Sequence, residues 1–218
     1  MKSLFTLLFI FFFWIVSFCQ SGEDKTKGEK KNYYQEWLEK RKSIEFPEKD
    51  GFVTFERVDS VRVSSKSKGD LVTAFKLTLS DVLRQAKSAI DVDDRDGGLV
   101  VAKVYDNYSF KYGRKVYFRP IRYTIKFQSK DGRLRVQITN IEVGIESLEY
   151  NGYTIDTKTV FYTIEEREKI VTSTKNYKSL SYDGRARSLE IRRSLSSHLV
   201  ETLNGLVDLS VKRANESF

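Results

Sequence analysis

Apolar and polar residues alternate along the middle of the chain, on both sides of an Asp131-Gly132 pair. A period of two is typical of strands that bury one face and expose the other to water. Asp-Gly is a preferred pair in two-residue hairpin loops, where both central residues take positive φ. The pattern therefore predicts an antiparallel hairpin over residues 121–143. The apolar positions predicted to face the core are Tyr123, Ile125, Phe127, Leu134, Val136 and Ile138.

The other face of this hairpin is predicted to be wet and basic. Its candidate surface residues are Arg122, Lys126, Arg133 and Arg135. A sheet face that carries several cations favours an anionic partner. We therefore take these four residues as the candidate binding surface.

Two segments have the spacing of amphipathic helices. Ser67 with Asp70 three residues later is a helix-start signature, and apolar residues follow at every fourth position through 71–86. Near the C-terminus, Ser188–Ala214 has an apolar arc that includes Leu195, Leu199 and Leu203. An arc of this width is typical of a helix that packs against a sheet.

Further strands are predicted on either side of the first helix. Residues 52–63 read as one strand, in which Val61 and Val63 are the clearest alternating pair. Residues 88–93 and 99–105 read as two strands joined by a polar, glycine-containing turn, and 107–115 as a loop. Proline at position 120 predicts an edge position or a bend, because proline cannot donate to a strand ladder.

Residues 147–187 carry a weaker pattern. The Asn151-Gly152 pair predicts a small extra hairpin, and Thr163–Val171 predicts one or two helical turns. The polar stretch 172–187 is expected to be irregular.

The first nineteen residues have the pattern of an export signal. Lys2 precedes a nearly unbroken apolar run, and the chain turns polar at Gln20. Two interpretations remain open. A signal peptidase could cut after Cys19, which would release the protein into the periplasm or the medium. Alternatively, residues 16–19 resemble a lipobox, although Phe18 departs from it, and a lipidated Cys19 would then anchor the protein to a membrane.

Composition limits the chemistry of the chain. There is one cysteine, Cys19, and one histidine, His198, in 218 residues, so an internal disulfide is excluded. Cys19 ends the predicted signal segment, so the mature domain also lacks the parts of a cysteine–histidine nucleophile pair or a thiolate zinc site. The formal net charge is +8, and removal of residues 1–19 takes away only Lys2, leaving 37 basic and 30 acidic residues. Export makes nucleic acid an unexpected partner, so the anionic surfaces of the envelope become the expected attraction.

Catalytic motifs are missing from the sequence. It contains no G-x-S-x-G elbow, phosphate-binding glycine loop or H-E-x-x-H motif. His198 falls at the edge of the polar arc of its helix, where a surface position is expected. We therefore expect no catalytic residues, cofactor or metal, and a protein that is not an enzyme.

The predicted order is strand, helix, four strands and helix, an α+β fold whose helices cover one face of an antiparallel sheet. The segments SKGDLVTAFKLTLSDVLRQA, KSAIDVDDRDGGLVVAKV and YTIKFQSKDGRLRVQITNI also resemble an exported bacterial family of unknown function. That family has a fold like that of the TATA-box-binding protein (TBP-like). The resemblance covers about Phe52–Val143 and implies no active residues.

The chain is accordingly divided into five predicted segments. They are a signal peptide (1–19), a charged tether with a short helix (20–50), a TBP-like α+β core (51–146), an insertion with a hairpin and loop (147–187) and a C-terminal helix (188–215).

Three functions follow as hypotheses. The first is an exported envelope protein that is a non-enzymatic binding or structural module, with an anionic envelope surface or another envelope protein as partner and membrane contact only through lipidated Cys19. The alternative is a carrier of a small apolar ligand held between the sheet and the C-terminal helix. A hydrolase with two carboxylates comes third.

Overall fold

The structure is a computed structural model that describes residues 33–44, 46–83, 90–150, 155–173 and 180–216. The chain divides into two compact units, with the boundary along the sequence between Ser43 and Ile44. In the first unit, residues 33–42 form helix α1, where Tyr34 stacks on Trp37 and Arg41 lies 5.5 Å from the centre of the Trp37 ring. This agrees with the short helix predicted within 20–50. The predicted signal peptide, Cys19 and the tether lie outside the described residues.

The second unit contains the sheet. Its strands are β1 (Glu48–Lys49), β2 (Phe52–Val53), β3 (Phe55–Asp59), β4 (Ile90–Asp94), β5 (Leu99–Tyr112), β6 (Lys115–Lys130), β7 (Arg133–Tyr150) and β8 (Ile155–Thr163). Its helices are α2 (Lys68–Val82), α3 (Ile164–Thr172) and α4 (Tyr182–Glu216). Strands β3-β7-β6-β5-β4 form an antiparallel sheet in that order, β8 joins it by pairing with β7, and β1 and β2 form a separate small hairpin.

Helices α2 and α4 cover one face of the sheet, as the sequence predicts. The inward residues of the central hairpin are all buried, and Phe127 stacks on Phe75 of α2 with ring centres 4.2 Å apart. Leu195, Leu199 and Leu203 of α4 belong to the same apolar cluster. The α+β fold and its layer arrangement are therefore confirmed.

The turn of the central hairpin packs against the start of α2. Asp131 accepts a hydrogen bond from the Lys68 N–H at 2.9 Å, and the Gly132 N–H donates to the Lys66 carbonyl at 3.0 Å. Gly132 has a φ of 70°, and a Cβ there would lie 2.7 Å from the Ser64 carbonyl oxygen. Asp131 does not share this positive φ, so the expectation of two positive φ values was wrong. The contacts with residues 64–68 decide the turn conformation.

The strand predicted over 52–63 is shorter than expected. It ends at Asp59, which pairs with Leu134, the second residue of β7, so residues from Val61 onward have no opposing residue in β7. Val61 is 84% exposed and Val63 is buried, and both lie in bends and turns rather than in a strand. The Asp59 carboxylate accepts the Arg62 N–H at 3.0 Å and stabilises this turn.

Two segments predicted to be irregular are regular. Residues 107–112 continue β5 because they pair with β6 as far as Tyr112, and Tyr108 and Phe110 are buried on the helix side. Helix α4 begins at Tyr182 rather than at residue 188, and the Ser181 hydroxyl accepts the Gly184 N–H at its start.

The sheet forks at its end opposite the Asp131-Gly132 turn. The last pair between β6 and β7 is Ile121 with Val143, whereas β8 pairs with the other edge of β7 from Glu142 to Tyr150. Pro120 therefore lies just past the β7 ladder, in agreement with the predicted edge or bend. The extra hairpin is confirmed by the pairing of Tyr150 with Ile155, whereas its Asn151-Gly152 turn lies outside the described residues.

The short helix predicted near residue 163 is also present. The Thr163 hydroxyl accepts the Glu166 N–H, and the Glu166 carboxylate accepts the Thr163 N–H, which is a complete capping box. Within the described ranges, no helix combines the length and the apolar character that crossing a membrane requires.

Candidate binding surface

The face of the sheet opposite the helices carries the residues that alternate with the core positions. On β5 and β6 these include Lys103, Tyr105, Arg122 and Lys126, and of them Lys126 is half-buried while the others are exposed. Tyr105 retains 58% of its exposed area although it is a large aromatic residue. We call this face the outer face.

Three of the four predicted surface residues share one region of the outer face. Arg133 and Arg135 lie on β7, and Lys126 lies on β6 opposite Gln137, two residues beyond Arg135. Lys130 pairs directly with Arg133, so it adds a fourth cation that the prediction missed. The strand alternation continues to Lys130 in the sequence, and that signal could have identified it. We call Lys126, Lys130, Arg133 and Arg135 the basic patch.

One acidic residue offsets part of this charge. The Glu56 carboxylate on β3 accepts hydrogen bonds from Arg135 at 2.7 Å and from Gln137 at 2.9 Å, and it lies 3.3 Å from the Lys49 ammonium. The hydrogen bond from Arg135 is the main reason that the pKa of Glu56 is lower than usual. Glu56 reaches this position because β3 pairs with β7, which local sequence patterns do not show.

Arg122, the fourth predicted residue, lies apart from the basic patch. Its guanidinium carbon is 3.7 Å from the centre of the Phe161 ring and 5.7 Å from that of Tyr105. Its neighbour on β7 is Glu142. Arg122 is thus part of an arginine–aromatic cluster at the fork of the sheet, and its planar cation is held between rings rather than presented alone.

A second group of polar residues lies on the helix side of the sheet. Nε2 of His198 is 3.3 Å from Oδ2 of Asp106, and the His198 ring centre is 6.3 Å from that of the buried Tyr108. The interaction of His198 with the Asp106 carboxylate is the main reason that the pKa of Asp106 is lower than usual. Burial raises the pKa of Tyr108 and, more strongly, that of Tyr123.

His198 is therefore not the simple surface residue that its helical position predicts. Its side chain is only 24% exposed, and it joins α4 to β5 through Asp106. The two tyrosines beside this pair are neutral at physiological pH with their ordinary pKa, and burial raises that pKa further. We interpret this group as a polar contact between the helix and the sheet.

The described side chains include a histidine and many carboxylates, residue types that can bind metal ions. Among them, no group of three or more histidine, cysteine, aspartate or glutamate residues is arranged to hold a metal ion. The acidic turn after β4 has a local explanation, since Asp94 accepts the Gly97 N–H at 2.7 Å.

Comparison with known families identifies the core. Residues 58–143 match the family described as a domain of unknown function (DUF4468) with TBP-like fold. This confirms the resemblance drawn from the sequence and the TBP-like fold. No curated protein is found to match the chain.

Two solved structures have the same fold. A DUF4468 family protein from Bacteroides ovatus has a TM-score of 0.51 at 15% identity, with 76% of this chain and 90% of that chain covered. A TBP-like protein from Parabacteroides distasonis has a TM-score of 0.52 at 15% identity, with 76% and 96% covered. At this identity the likeness concerns the fold alone.

Proposed function

We propose that the protein is an exported, non-enzymatic binding module of the bacterial cell envelope, and that the outer face of its sheet binds a negatively charged partner. The observation that carries the proposal is the difference between the two faces of the sheet. Two helices cover one face, whereas the other presents the four cations of the basic patch on neighbouring strands. Cations grouped on one surface attract anions more strongly than the same cations spread over the molecule.

Export rests on the sequence of residues 1–19, with Lys2, the apolar run and Cys19. Mass spectrometry of the mature N-terminus from membrane and soluble fractions tests it. An N-terminal Gln20 would identify a released protein, and an acylated Cys19 would identify a lipoprotein. Recovery of the intact chain beginning at Met1 from the cytoplasm would contradict export.

Binding to acidic polysaccharide tests the outer face. The mature chain should bind an acidic polysaccharide and not a neutral one, with an affinity that falls as salt is added. Changing all four residues of the basic patch to serine should lower this affinity at least about tenfold, which is about 1.4 kcal/mol.

The control removes the same charge elsewhere. The variant combines Lys40→Ser, Lys169→Ser, Arg193→Ser and Lys212→Ser, four exposed positions on helices. It should change the affinity by less than about threefold, because attraction through net charge alone is weak and screened. Equal losses in the two variants would reject the outer face as the binding surface.

The apolar-ligand carrier is not the function that the geometry supports best. Leu195, Leu199, Leu203 and Leu206 of α4 are buried in one continuous cluster with sheet residues such as Ile125. Side chains of the protein itself thus occupy the apolar layer between helix and sheet.

A further inference from the structure

The end of the β5–β6 hairpin extends beyond the ladder that joins β6 to β7. β5 and β6 remain paired with each other from Asn107 with Pro120 to Tyr112 with Lys115. The β7 ladder on β6 begins only at Ile121. Residues 107–120 therefore form a two-stranded projection, which we call the hairpin end.

The hairpin sequence contributes charge of one sign, and the Asp183 carboxylate of α4 lies 3.3 Å from the Tyr112 hydroxyl beside it. Between Asp106 and Asp131 the chain has no acidic residue, and its basic residues are Lys111, Arg114, Lys115, Arg119, Arg122, Lys126 and Lys130. Of the four that belong to the hairpin end, Lys111, Arg114 and Lys115 are exposed. Lys111 and Lys115 flank the Gly113-Arg114 turn, and Arg114 lies within it.

Apolar side chains are exposed beside these cations. Val116 and Phe118 lie two residues apart on β6, so they point to the same face, and they are 56% and 70% exposed. Phe118 is one of the most exposed large apolar residues in the described part of the chain. Exposed apolar residues grouped with cations are typical of surfaces that bind a partner with an apolar part beside negatively charged groups.

The opposite side of the hairpin end is firmly packed. Phe110 stacks on Tyr117 with ring centres 5.1 Å apart, and the Arg187 guanidinium of α4 lies 4.3 Å from the Tyr117 ring centre. The Tyr112 hydroxyl lies 3.2 Å from the Asp183 carbonyl oxygen, to which it donates a hydrogen bond. The hairpin end is therefore held in place by α4, and the exposure of Phe118 is not required by the packing.

We propose that the hairpin end is a docking site for a bilayer surface that contains anionic phospholipid. Lys111, Arg114 and Lys115 contact lipid phosphates, while Val116 and Phe118 enter the boundary between headgroups and acyl chains. Aromatic residues favour this boundary, and long basic side chains reach from it to the phosphates. A single lipid chain or a basic cluster binds membranes only weakly, whereas the two together give stable anchoring. The hairpin end would thus complement a lipidated Cys19.

This inference rests on the export that the proposed function assumes, and it adds a second anionic contact, with the membrane, at the hairpin end rather than at the basic patch. The test uses residues 20–218 in a flotation assay with two kinds of vesicle. One contains phosphatidylcholine with 30 mol% phosphatidylglycerol, and the other contains phosphatidylcholine alone. We expect binding to the first and little to the second, with about a fivefold loss for each basic residue removed near the surface.

Two triple variants with the same charge separate the two sites. The hairpin-end variant combines Lys111→Ser, Arg114→Ser and Lys115→Ser, and its matched control combines Lys126→Ser, Lys130→Ser and Arg133→Ser. The first should bind the anionic vesicles at least about tenfold more weakly, and the second should lose less than about threefold. Equal losses, or a larger loss in the control, would overturn the inference.

The apolar contact has its own pair of variants. Phe118→Ser should weaken vesicle binding, whereas Phe52→Ser, which changes a residue that is 64% exposed on β2, should not. In the Phe118→Trp variant, the emission added to that of Trp37 should shift to the blue with anionic vesicles, because the new ring leaves water. This spectrum is informative even if a triple variant fails to fold. An unshifted emission, or no binding by the wild-type chain, would overturn the inference, and the polysaccharide assay would still decide the proposed function.

Discussion

The guanidinium carbon of Arg122 lies 3.7 Å from the centre of the Phe161 ring. This contact joins β6 to β8 across the intervening strand β7. The Tyr105 ring stands at an angle of 63° to that of Phe161, with centres 6.1 Å apart. A residue predicted to offer a cation to a partner thus also serves the fold. It connects β6, within the matched segment 58–143, to β8, which lies outside that segment.

Replacement of Arg122 by alanine should lower the free energy of unfolding by about 1 kcal/mol, because one exposed cation–aromatic contact is worth about that much. Arg122→Lys should recover only part of the loss, since an ammonium lacks the planar surface that lies on the ring. Urea denaturation measures both variants. Arg133→Ala, at the other end of the same face, is the control and should change stability by less than about 0.5 kcal/mol. Full recovery by lysine would show that charge alone matters.

Gly144→Ala should destabilise the fork of the sheet. A Cβ at this position would lie 2.5 Å from Cγ of Pro120 and 2.9 Å from Cγ2 of Thr159, so strands β6 and β8 would have to shift. Overpacking of this kind costs about 1–3 kcal/mol.

The matched control is Gly205→Ala. A Cβ at Gly205 meets no atom within 4 Å, and the residue lies inside helix α4. Alanine is the better helix former, so this change should stabilise the protein by about 0.5–1 kcal/mol. Thermal denaturation of both variants should therefore show melting temperatures that move in opposite directions. A stable Gly144→Ala variant would mean that β7 does not pack against Pro120 as closely as described.

The Asp106–His198 contact should make stability depend on pH. The contact lowers the pKa of Asp106 in the folded protein, so the carboxylate stabilises the fold above its ordinary pKa of about 4. This contribution is lost as the pH falls through the lower, folded pKa. Asp106→Asn should therefore be less stable than the wild type at pH 6, and the difference should shrink below about pH 4.

Urea denaturation from pH 2.5 to pH 6 measures this difference. Asp91→Asn, which removes an exposed carboxylate 2.7 Å from the Lys103 ammonium, is the control for the loss of an acid. Tyr123 and the Asn107 N–H also face Asp106 and are unchanged in both variants. A constant difference for Asp106→Asn across the whole range would show that the contact with His198 is not the source of its stability.

Glu56→Gln should strengthen binding to polyanions through the basic patch. The change removes the carboxylate that accepts hydrogen bonds from Arg135 and Gln137, so the patch gains one unit of net positive charge. We expect the affinity for acidic polysaccharide to rise by about threefold at low salt and the gain to vanish as salt screens the charges. Glu190→Gln on α4 changes the net charge equally and should have little effect. A loss of affinity in Glu56→Gln would mean that Glu56 positions Arg135 for binding.

Much of the fold could be predicted because local patterns and final structure agree. The alternation on either side of Asp131-Gly132 identified the strands, since a register shift of one residue would move every apolar side chain to water. The spacing of apolar residues after Ser67 identified α2 in the same way, because only one side of that helix can reach the core. The buried stacking of Phe75 on Phe127 joins the two elements as expected.

The candidate surface could be predicted only in part. Alternation assigned Lys126, Arg133 and Arg135 to the outer face. This assignment was possible because alternation depends only on neighbours along one strand. The position of Glu56 beside Arg135 depends on the pairing of β3 with β7, and these residues are 79 positions apart. A pairing of this kind leaves no local signal in one sequence.

The extent of the strands was also decided by distant partners. Val61 and Val63 alternate like strand residues, but β7 offers no residue opposite them. Residues 107–112 look like a loop, yet they are a strand because residues 115–120 lie alongside them.

The sequence by itself determined the layer arrangement, the apolar faces of α2 and α4, the central hairpin and the limits on cysteine and histidine chemistry. These depend on periodicity and composition, which a single chain displays directly. Only the tertiary structure decided where the strands end, that β8 joins the sheet, and that His198 contacts Asp106. It also separated Arg122 from the basic patch and extended the hairpin end beyond the β6–β7 ladder. These features depend on contacts between different strands and helices, several of them far apart in the chain, whose energy exists only once the elements are packed together.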